Sequence, residues 1–440
     1  MRNTLLLSAA IILCCSLKFN SATAQADNFY KEVDKMTAEI KDKVVEWRRD
    51  FHENPELSNR EFKTAEKITA HLKSLGIEVT TGVAKTGVVG ILKGGKPGPV
   101  LALRADMDAL PVTERVDLPF ASKMKSTYNN LEVGVMHACG HDTHVAMLMG
   151  AAEILSKMKS DLKGTVKFIF QPAEEGAPAG EEGGASLMVK EGVLENPKVD
   201  AIFGLHINSM TPVGTLKVKT EGIMAAADRF RIEVKGKQTH GSTPWTGLDP
   251  IVTSSQIIMG LQTIISRQVP LTEAPAVLSI GGLHSGVRNN IIPESAEIYG
   301  TIRTFDVKMQ ETIHKNIERT AKSIAESAGL TAEVTIEKMT PVTFNDLSLT
   351  NAMMPTLQAS AGEKNVEIIK AITGAEDFAF YQEKVPGMFF FVGGMSPNKT
   401  PEQVAPHHTP DFFIDESGMQ LGVKTFCYLV YDYFNMSAKK

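Results

Sequence analysis

Apolar residues recur at helical spacing in the first segments of the chain and in short β-branched runs thereafter. "FYKEVDKMTAEIKDKVVEWRRDFHENPE" has its apolar positions three and four apart, which predicts one polar-faced helix ended by Pro55. "REFKTAEKITAHLKSLG" repeats that period and stops at Gly76. Beyond it, "GVVGILKG", "PVLALRAD", "GTVKFIFQP" and "VDAIFGLH" read as strands, alternating with helical patterns in "DTHVAMLMGAAEILSKMK" and around "GASLMVKEGVL". Such alternation predicts an α/β sheet with many parallel strands.

Near residue 217 the pattern changes. "FRIEVKG", "AVLSIGGLHSG", "SAEIYGTIRTF" and "TAEVTIEKM" read as strands, and "DPIVTSSQIIMGLQTIISRQ" and "MQETIHKNIERTAKSIAESAG" as amphipathic helices. Their β-α-β-β-α-β order is the ferredoxin-like arrangement. Mixed α/β patterns return in "NDLSLTNAMMPTLQASAG" and "EDFAFYQEKVPGMFFFVGG". The economical reading is an insertion: residues 25–216 and 337–440 form one α/β domain, and residues 217–336 form a smaller domain within it.

Composition narrows the function. The 440 residues are 43% hydrophobic and 22% charged, with a net charge of -5. Neither the charge nor any basic stripe favours a nucleic-acid partner. Arg2, the apolar run "LLLSAAIILCCSL" and the small-x-small Ala22-Thr23-Ala24 read as an export leader over residues 1–24, too short to span a membrane. The expected location is therefore periplasmic or extracellular. Cys14 and Cys15 raise lipid attachment as a secondary reading, which Leu13 disfavours. The mature chain keeps only Cys139 and Cys427, too few for a disulfide framework. Cys427 sits in "VKTFCYLVYDYF", a buried helix pattern that suits a free core thiol.

Candidate chemistry gathers at the predicted strand ends, where open α/β sheets bind ligands. "VLALR" runs into Asp106 and Asp108, "VKFIF" into Glu174 and Glu175, and "AIFGL" onto His206. Cys139 and His141 precede a helix, and His407 and His408 follow "MFFFVGG". Each group alone has an ordinary explanation: helix caps, solvated charge, a core histidine. Together at one sheet edge they read as a site. Cys139 is open to two functional readings, a thiol nucleophile at a helix start or a ligand. Thiolate, imidazole and carboxylate in company suit a borderline-soft divalent ion. Of two adjacent glutamates, one can bind metal while its neighbour faces substrate as a general base.

The stretches "RRDFHENPEL", "LRADMDALP", "HACGHDTHVAMLMGAA", "FQPAEEG", "GLH", "HGSTPW", "RNNIIPESAEIYGTIRTF", "GAEDFAFY" and "HHTPDFFIDE", in that order, resemble the aminoacylase-like metallo-amidohydrolases, in the branch of hippurate and indole-acetyl-amino-acid hydrolases. The resemblance implies a zinc-peptidase-like catalytic domain with two divalent ions, and an inserted lid domain that also makes a homodimer. It implies five ligands: Cys139 bridging, Glu175 and His408 on one ion, His141 and His206 on the other. Glu174 would be the acid/base and Asp108 an orienting carboxylate. On the lid, His240 and Asn290 would serve the oxyanion and Arg303 the substrate carboxylate. His407 has no matching role. Zinc is the expected metal, with manganese, cobalt or nickel also compatible. Where many relatives have histidine, this chain has Trp245. The implied reaction is hydrolysis of N-acyl amino acids, with a dipeptidase or carboxypeptidase as the rival on the same scaffold and a non-catalytic binding protein as the rival in kind.

Overall fold

The computed structural model describes residues 26–437; the expected leader, with Cys14 and Cys15, lies outside them. The described chain divides into two compact units. The second comprises Lys219–Leu347, so it begins two residues later and ends eleven residues later than the 217–336 read from sequence. It also takes in Ile369–Glu383, which the sequence pattern assigned to the larger domain. Backbone pairing explains that: Ala225 N–H donates to Gly374 O, and Met224 bridges Ile372.

In the first unit, eight strands form one mixed sheet. Its centre is parallel: Lys163–Gln171, Lys96–Asp106, Ala201–Pro212 and Gly387–Met395 lie side by side. The flanks make the sheet mixed, as a largely parallel α/β sheet allows. Glu78–Val83 and Gly87–Lys93 pair antiparallel, and so do Gly387–Met395 and Leu216–Val218. Leu103 with its register partners Phe168 and Phe203 is buried on one face, and Ala102 with Ile202 on the other. That is why these strands read as continuous apolar runs.

The helix His141–Lys157 is buried along nearly its whole length. It packs between Lys41–Glu53 and the C-terminal helix Met419–Ser437. An added Cβ at Gly422 would lie 2.1 Å from Met147 Sδ, so the Met147 side chain packs into the space that glycine leaves. The helix expected from the first segment is interrupted at Ile40, but hydrogen bonds continue across it, from Ile40 N–H to Met36 O and from Val44 N–H to Ile40 O. Each fully buried Leu or Phe of this core contributes about 1.5–3 kcal/mol. Cys427 is one of its free buried thiols.

The second unit holds an antiparallel sheet in the order Ala276–Ser285, Ser295–Thr304, Ala226–Lys235, Thr331–Thr340. Helices Pro250–Arg267 and Val307–Ser327 bury Ile257, Leu261, Ile313 and Ile317 against Ile232 and Ile298. This is the β-α-β-β-α-β order read from the sequence. Asp249 caps the first helix by accepting from Ile251 and Val252 N–H, and Asp306 the second by accepting from Met309 N–H.

Candidate metal centre

The parallel strands deliver their carboxyl ends to one edge of the sheet, and the candidate ligands arrive there. Gly140 turns the chain with φ 91°, a conformation glycine adopts freely, and separates Cys139 from His141 at the helix start. Cys139 Sγ lies 3.2 Å from His408 Nε2 and 3.4 Å from His206 Nε2. His408 Nε2 is 3.0 Å from Glu175 Oε1. His141 Nε2 lies 3.9 Å from oxygens of both Glu174 and Glu175, and 3.8 Å from Asp106 Oδ2. Five residues expected as ligands, together with Glu174, thus converge in the first unit.

Hydrogen bonds decide which imidazole nitrogens remain for a cation. A carbonyl can only accept, so His141 Nδ1 must donate to Asp108 O at 3.0 Å, and His206 Nδ1 to Ile207 O at 2.5 Å. In the neutral form both rings therefore present an Nε2 lone pair. This is how outer partners orient metal-binding histidines. His144 differs: its Nδ1 donates to Asp106 Oδ1 at 2.5 Å and its Nε2 accepts from Ile207 N–H at 2.8 Å. His407 is committed likewise, to Cys139 O at 3.1 Å and Ser209 N–H at 3.2 Å. Although both lie close enough to complete a cluster, neither has a lone pair to offer. His408 adopts φ 64°, a left-handed conformation that costs a non-glycine residue about 1–2 kcal/mol.

The charge balance asks for a cation. Burial opposes protonation of His141, but Asp106, Asp108 and Glu175 outweigh it and push its pKa up to about 10. Burial, then Glu175 and Glu174, hold the Cys139 thiol well above its usual range. A thiol in such surroundings ionises only against strong positive charge. It is therefore a poor unassisted nucleophile. His141 Nε2 is buried without a hydrogen-bond partner. A buried ring nitrogen without a partner, a thiol and surrounding carboxylates fit a divalent metal, which would take the place of the His141 Nε2 proton.

The two glutamates leave a turn that is braced from beneath. Ala173 has φ 53°, and its N–H donates to Glu61 Oε1 at 2.9 Å. Glu174 and Glu175 N–H donate to Asp108 Oδ1 and Oδ2, each at 3.0 Å, while Ser58 Oγ donates to Oδ2 at 2.8 Å. Asp108 thus acts through the turn, as an orienting group. Burial, then the nearby Asp108, push Glu61 up to about 8, while Thr86 donates to it. Sequence reading did not single out Glu61; within "LSNREFK" it resembles a solvated charge.

Asp142 is a second such residue. The sequence pattern made it a helix start, but its carboxylate accepts from Arg48 Nε at 2.8 Å and lies 2.8 Å from His52 Nδ1, fully buried. His52 also meets Glu114 at 3.1 Å. Arg48 and His52 lie four apart in the "RRDFH" stretch, on one helix face, and that spacing was the available signal.

In the second unit, His240 pairs with Ile291, and Gly241 N–H donates to Asn290 O, so His240 and Asn290 are neighbours. His240 Nδ1 accepts from Ser242 N–H at 3.0 Å, which leaves Nε2 carrying the proton. Arg303 lies on Ser295–Thr304 and donates to Thr301 Oγ1 and Ile302 O. Trp245 is 79% exposed.

Known proteins are similar to this chain in sequence and fold. The sequence matches the Peptidase family M20/M25/M40 over residues 102–432. Thermostable carboxypeptidase 2 of Saccharolobus solfataricus is 42% identical over 90% of this chain and 97% of its own. N-acetylcysteine deacetylase of Bacillus subtilis is 41% identical over 88% of this chain and 96% of its own. A solved Bacillus subtilis structure, described as a dinuclear metal-binding peptidase of family M20, superposes with a TM-score of 0.75 at 38% identity, covering 90% of this chain and 99% of that one. This chain belongs to the peptidase family M20/M25/M40, a family of metal-dependent hydrolases of amide bonds.

Proposed function

We propose that this protein is a metal-dependent amidohydrolase that cleaves N-acyl amino acids to a carboxylic acid and a free amino acid. The observation that carries the reading is the turn in which Glu174 and Glu175 leave one strand together, held by Asp108 beside Cys139, His141, His206 and His408. Cys139 would hold two divalent ions jointly. Glu175 and His408, 3.0 Å apart and grouped with Cys139, would complete one site, and His141 and His206 would hold the other. When bound, the ions supply Lewis-acid polarisation of the scissile carbonyl and lower the pKa of water. Zinc suits the thiolate and imidazoles best; manganese, cobalt and nickel fit the same donors.

Glu174 takes a proton from water as its oxygen bonds to the carbonyl carbon, then returns that proton to the leaving nitrogen as the C–N bond breaks. His240, protonated at Nε2, and Asn290 would donate to the oxyanion, and Arg303 would pair with the substrate carboxylate. We further propose a homodimer through the inserted domain acting as lid. Its edge strand Ala276–Ser285 exposes Val277 and Leu283, and the neighbouring helix exposes Val252 and Met259. The leader-like N-terminus supports an exported enzyme.

The relative named a carboxypeptidase favours a second reading, cleavage of peptide substrates. Chelated enzyme, reconstituted with single metals and assayed on N-acetyl amino acids, hippurate and free dipeptides, separates the two. The proposal requires N-acyl substrates to be preferred by at least about tenfold in kcat/KM. A preference for free dipeptides contradicts it.

A further inference from the structure

The parallel ladder between Lys96–Asp106 and Ala201–Pro212 runs from Leu101↔Ala201 to Arg104↔Gly204. Beyond that pair a side chain joins the two strands. His144 Nδ1 donates to Asp106 Oδ1 at 2.5 Å, and Ile207 N–H donates to His144 Nε2 at 2.8 Å. Behind Asp106, Arg104 Nη1 donates to Oδ2 at 2.7 Å, and Arg104 Nε donates to Gln171 Oε1 at 2.8 Å. Arg104, Asp106, His144 and Gln171 are all fully buried. On the far side, the Ile207 carbonyl accepts from His206 Nδ1 at 2.5 Å. His144 lies three residues after His141, on the same face of the helix start. Its ring centroid is 5.4 Å from that of His141 and 4.5 Å from that of His206.

These bonds admit one arrangement of protons. A carboxylate paired with a guanidinium accepts, so His144 carries its proton on Nδ1 and receives the Ile207 N–H at Nε2. Ile207 is thereby held at its N–H, while its carbonyl fixes the His206 ring with Nε2 turned to the cation. Asp106 has one oxygen engaged by Arg104 and the other by His144, although Oδ2 lies only 3.8 Å from His141 Nε2. The groups expected on the other ion are held elsewhere: Glu175 N–H donates to Asp108 Oδ2 at 3.0 Å, and His408 N–H to Ala138 O at 2.8 Å.

We propose that Arg104, Asp106 and His144 form a positioning relay for His206, which sets the affinity of the ion held by His141 and His206 and leaves that of the Glu175 and His408 ion alone. The inference rests on the two-ion reading above and deepens it by giving one half-site its own support. Outer partners of metal-binding histidines are worth about 10–100-fold in metal affinity.

The test titrates the metal-free full chain with cobalt(II) by calorimetry, so it needs no substrate. His206→Ala and His408→Ala identify which binding step belongs to which half-site. His144→Phe keeps a ring and removes both nitrogens. Asp106→Asn leaves His144 in place but reverses it: the amide oxygen stays with Arg104, the NH₂ faces His144, and the ring proton moves to Nε2, against Ile207 N–H. Each should weaken the step missing from His206→Ala by about 10–100-fold and leave the step missing from His408→Ala within about threefold. Combined with His206→Ala, either substitution should lower cobalt affinity no further; combined with His408→Ala, its full effect should remain. His144→Gln supplies one acceptor and one donor, and should recover affinity to within about fivefold of wild type.

Equal weakening of both steps, or of neither, overturns the inference, and so does full additivity with His206→Ala. His144 would then only staple two strands together. Nitrogen NMR of the imidazoles keeps the relay testable on wild type if the variants do not fold: His144 and His206 should both be protonated at Nδ1, and a proton on His144 Nε2 overturns it. A wild type that takes up one cobalt ion overturns both the relay and the two-ion reading. If the selective loss is seen but no N-acyl amino acid is cleaved, the proposed function falls and the relay stands.

Discussion

Asp108→Asn isolates the bracing of the catalytic turn. The carboxylate accepts three hydrogen bonds: from Glu174 N–H, Glu175 N–H and Ser58 Oγ. The substituted amide keeps one oxygen and puts an NH₂ donor where the other stood. In either orientation, that donor faces a backbone N–H. One buried N–H then loses its partner, at about 1–3 kcal/mol, and the remaining bonds lose their charge assistance. The expected loss is about 2–4 kcal/mol of stability, read as a lower urea midpoint at unchanged slope. Released from one bond, the turn also lets Glu174 drift. A misplacement of about 1 Å costs about 100-fold in rate. Stability and kcat should therefore fall together, and because Glu175 leaves the same turn, affinity for one ion should weaken with them. An unfolding free energy within about 0.5 kcal/mol of wild type combined with a large kcat loss would refute the bracing role, since Asp108 would then act directly in the chemistry.

The neighbouring histidines of the "HH" pair should behave differently. His408→Ala should lower metal content to about one ion per chain by elemental analysis. His407→Ala should keep the metal and lose about 1–3 kcal/mol through an unpaired Ser209 N–H and Cys139 carbonyl. Equal metal loss in both would contradict the hydrogen-bond assignment. His52 offers a pH test. Burial and Arg48 lower its pKa, but Asp142 and Glu114 win and raise it above the ordinary value. A raised folded-state pKa contributes stability that is complete below about pH 6.5 and lost as pH rises through the folded value. The stability gap between wild type and His52→Gln, from denaturant titrations between pH 6 and 9, should narrow toward high pH. A gap that widens reverses the assigned sign.

Much of this site was legible because its residues sit where chain direction leaves them little choice. Asp106, Glu174 and His206 follow apolar runs that had to be strands, and the parallel centre of the sheet carries their ends to one edge. The largely parallel character of the sheet was legible, while which flanking strands run antiparallel was not, because an apolar run records burial but not direction. The choice of His408 over His407 came from resemblance; nothing in two adjacent identical residues distinguishes them. The structure separates them through a φ of 64° at His408 and two committed nitrogens at His407. Glu61 was invisible for a related reason, since its burial arises from the distant Ala173 and Thr86. The segment Ile369–Glu383 joined the second unit through a single bridge and a few hydrogen bonds, contacts that periodicity does not record.

The central claim is that Glu174 moves the proton while the neighbouring groups hold metal. Glu174→Gln keeps the side chain's size and removes its basicity. Metal content, urea midpoint and kcat measured together on that variant test the claim most directly. Two ions per chain, an unchanged midpoint and a kcat lower by at least about 1,000-fold is the predicted result. Turnover within about tenfold of wild type at full metal content would contradict it.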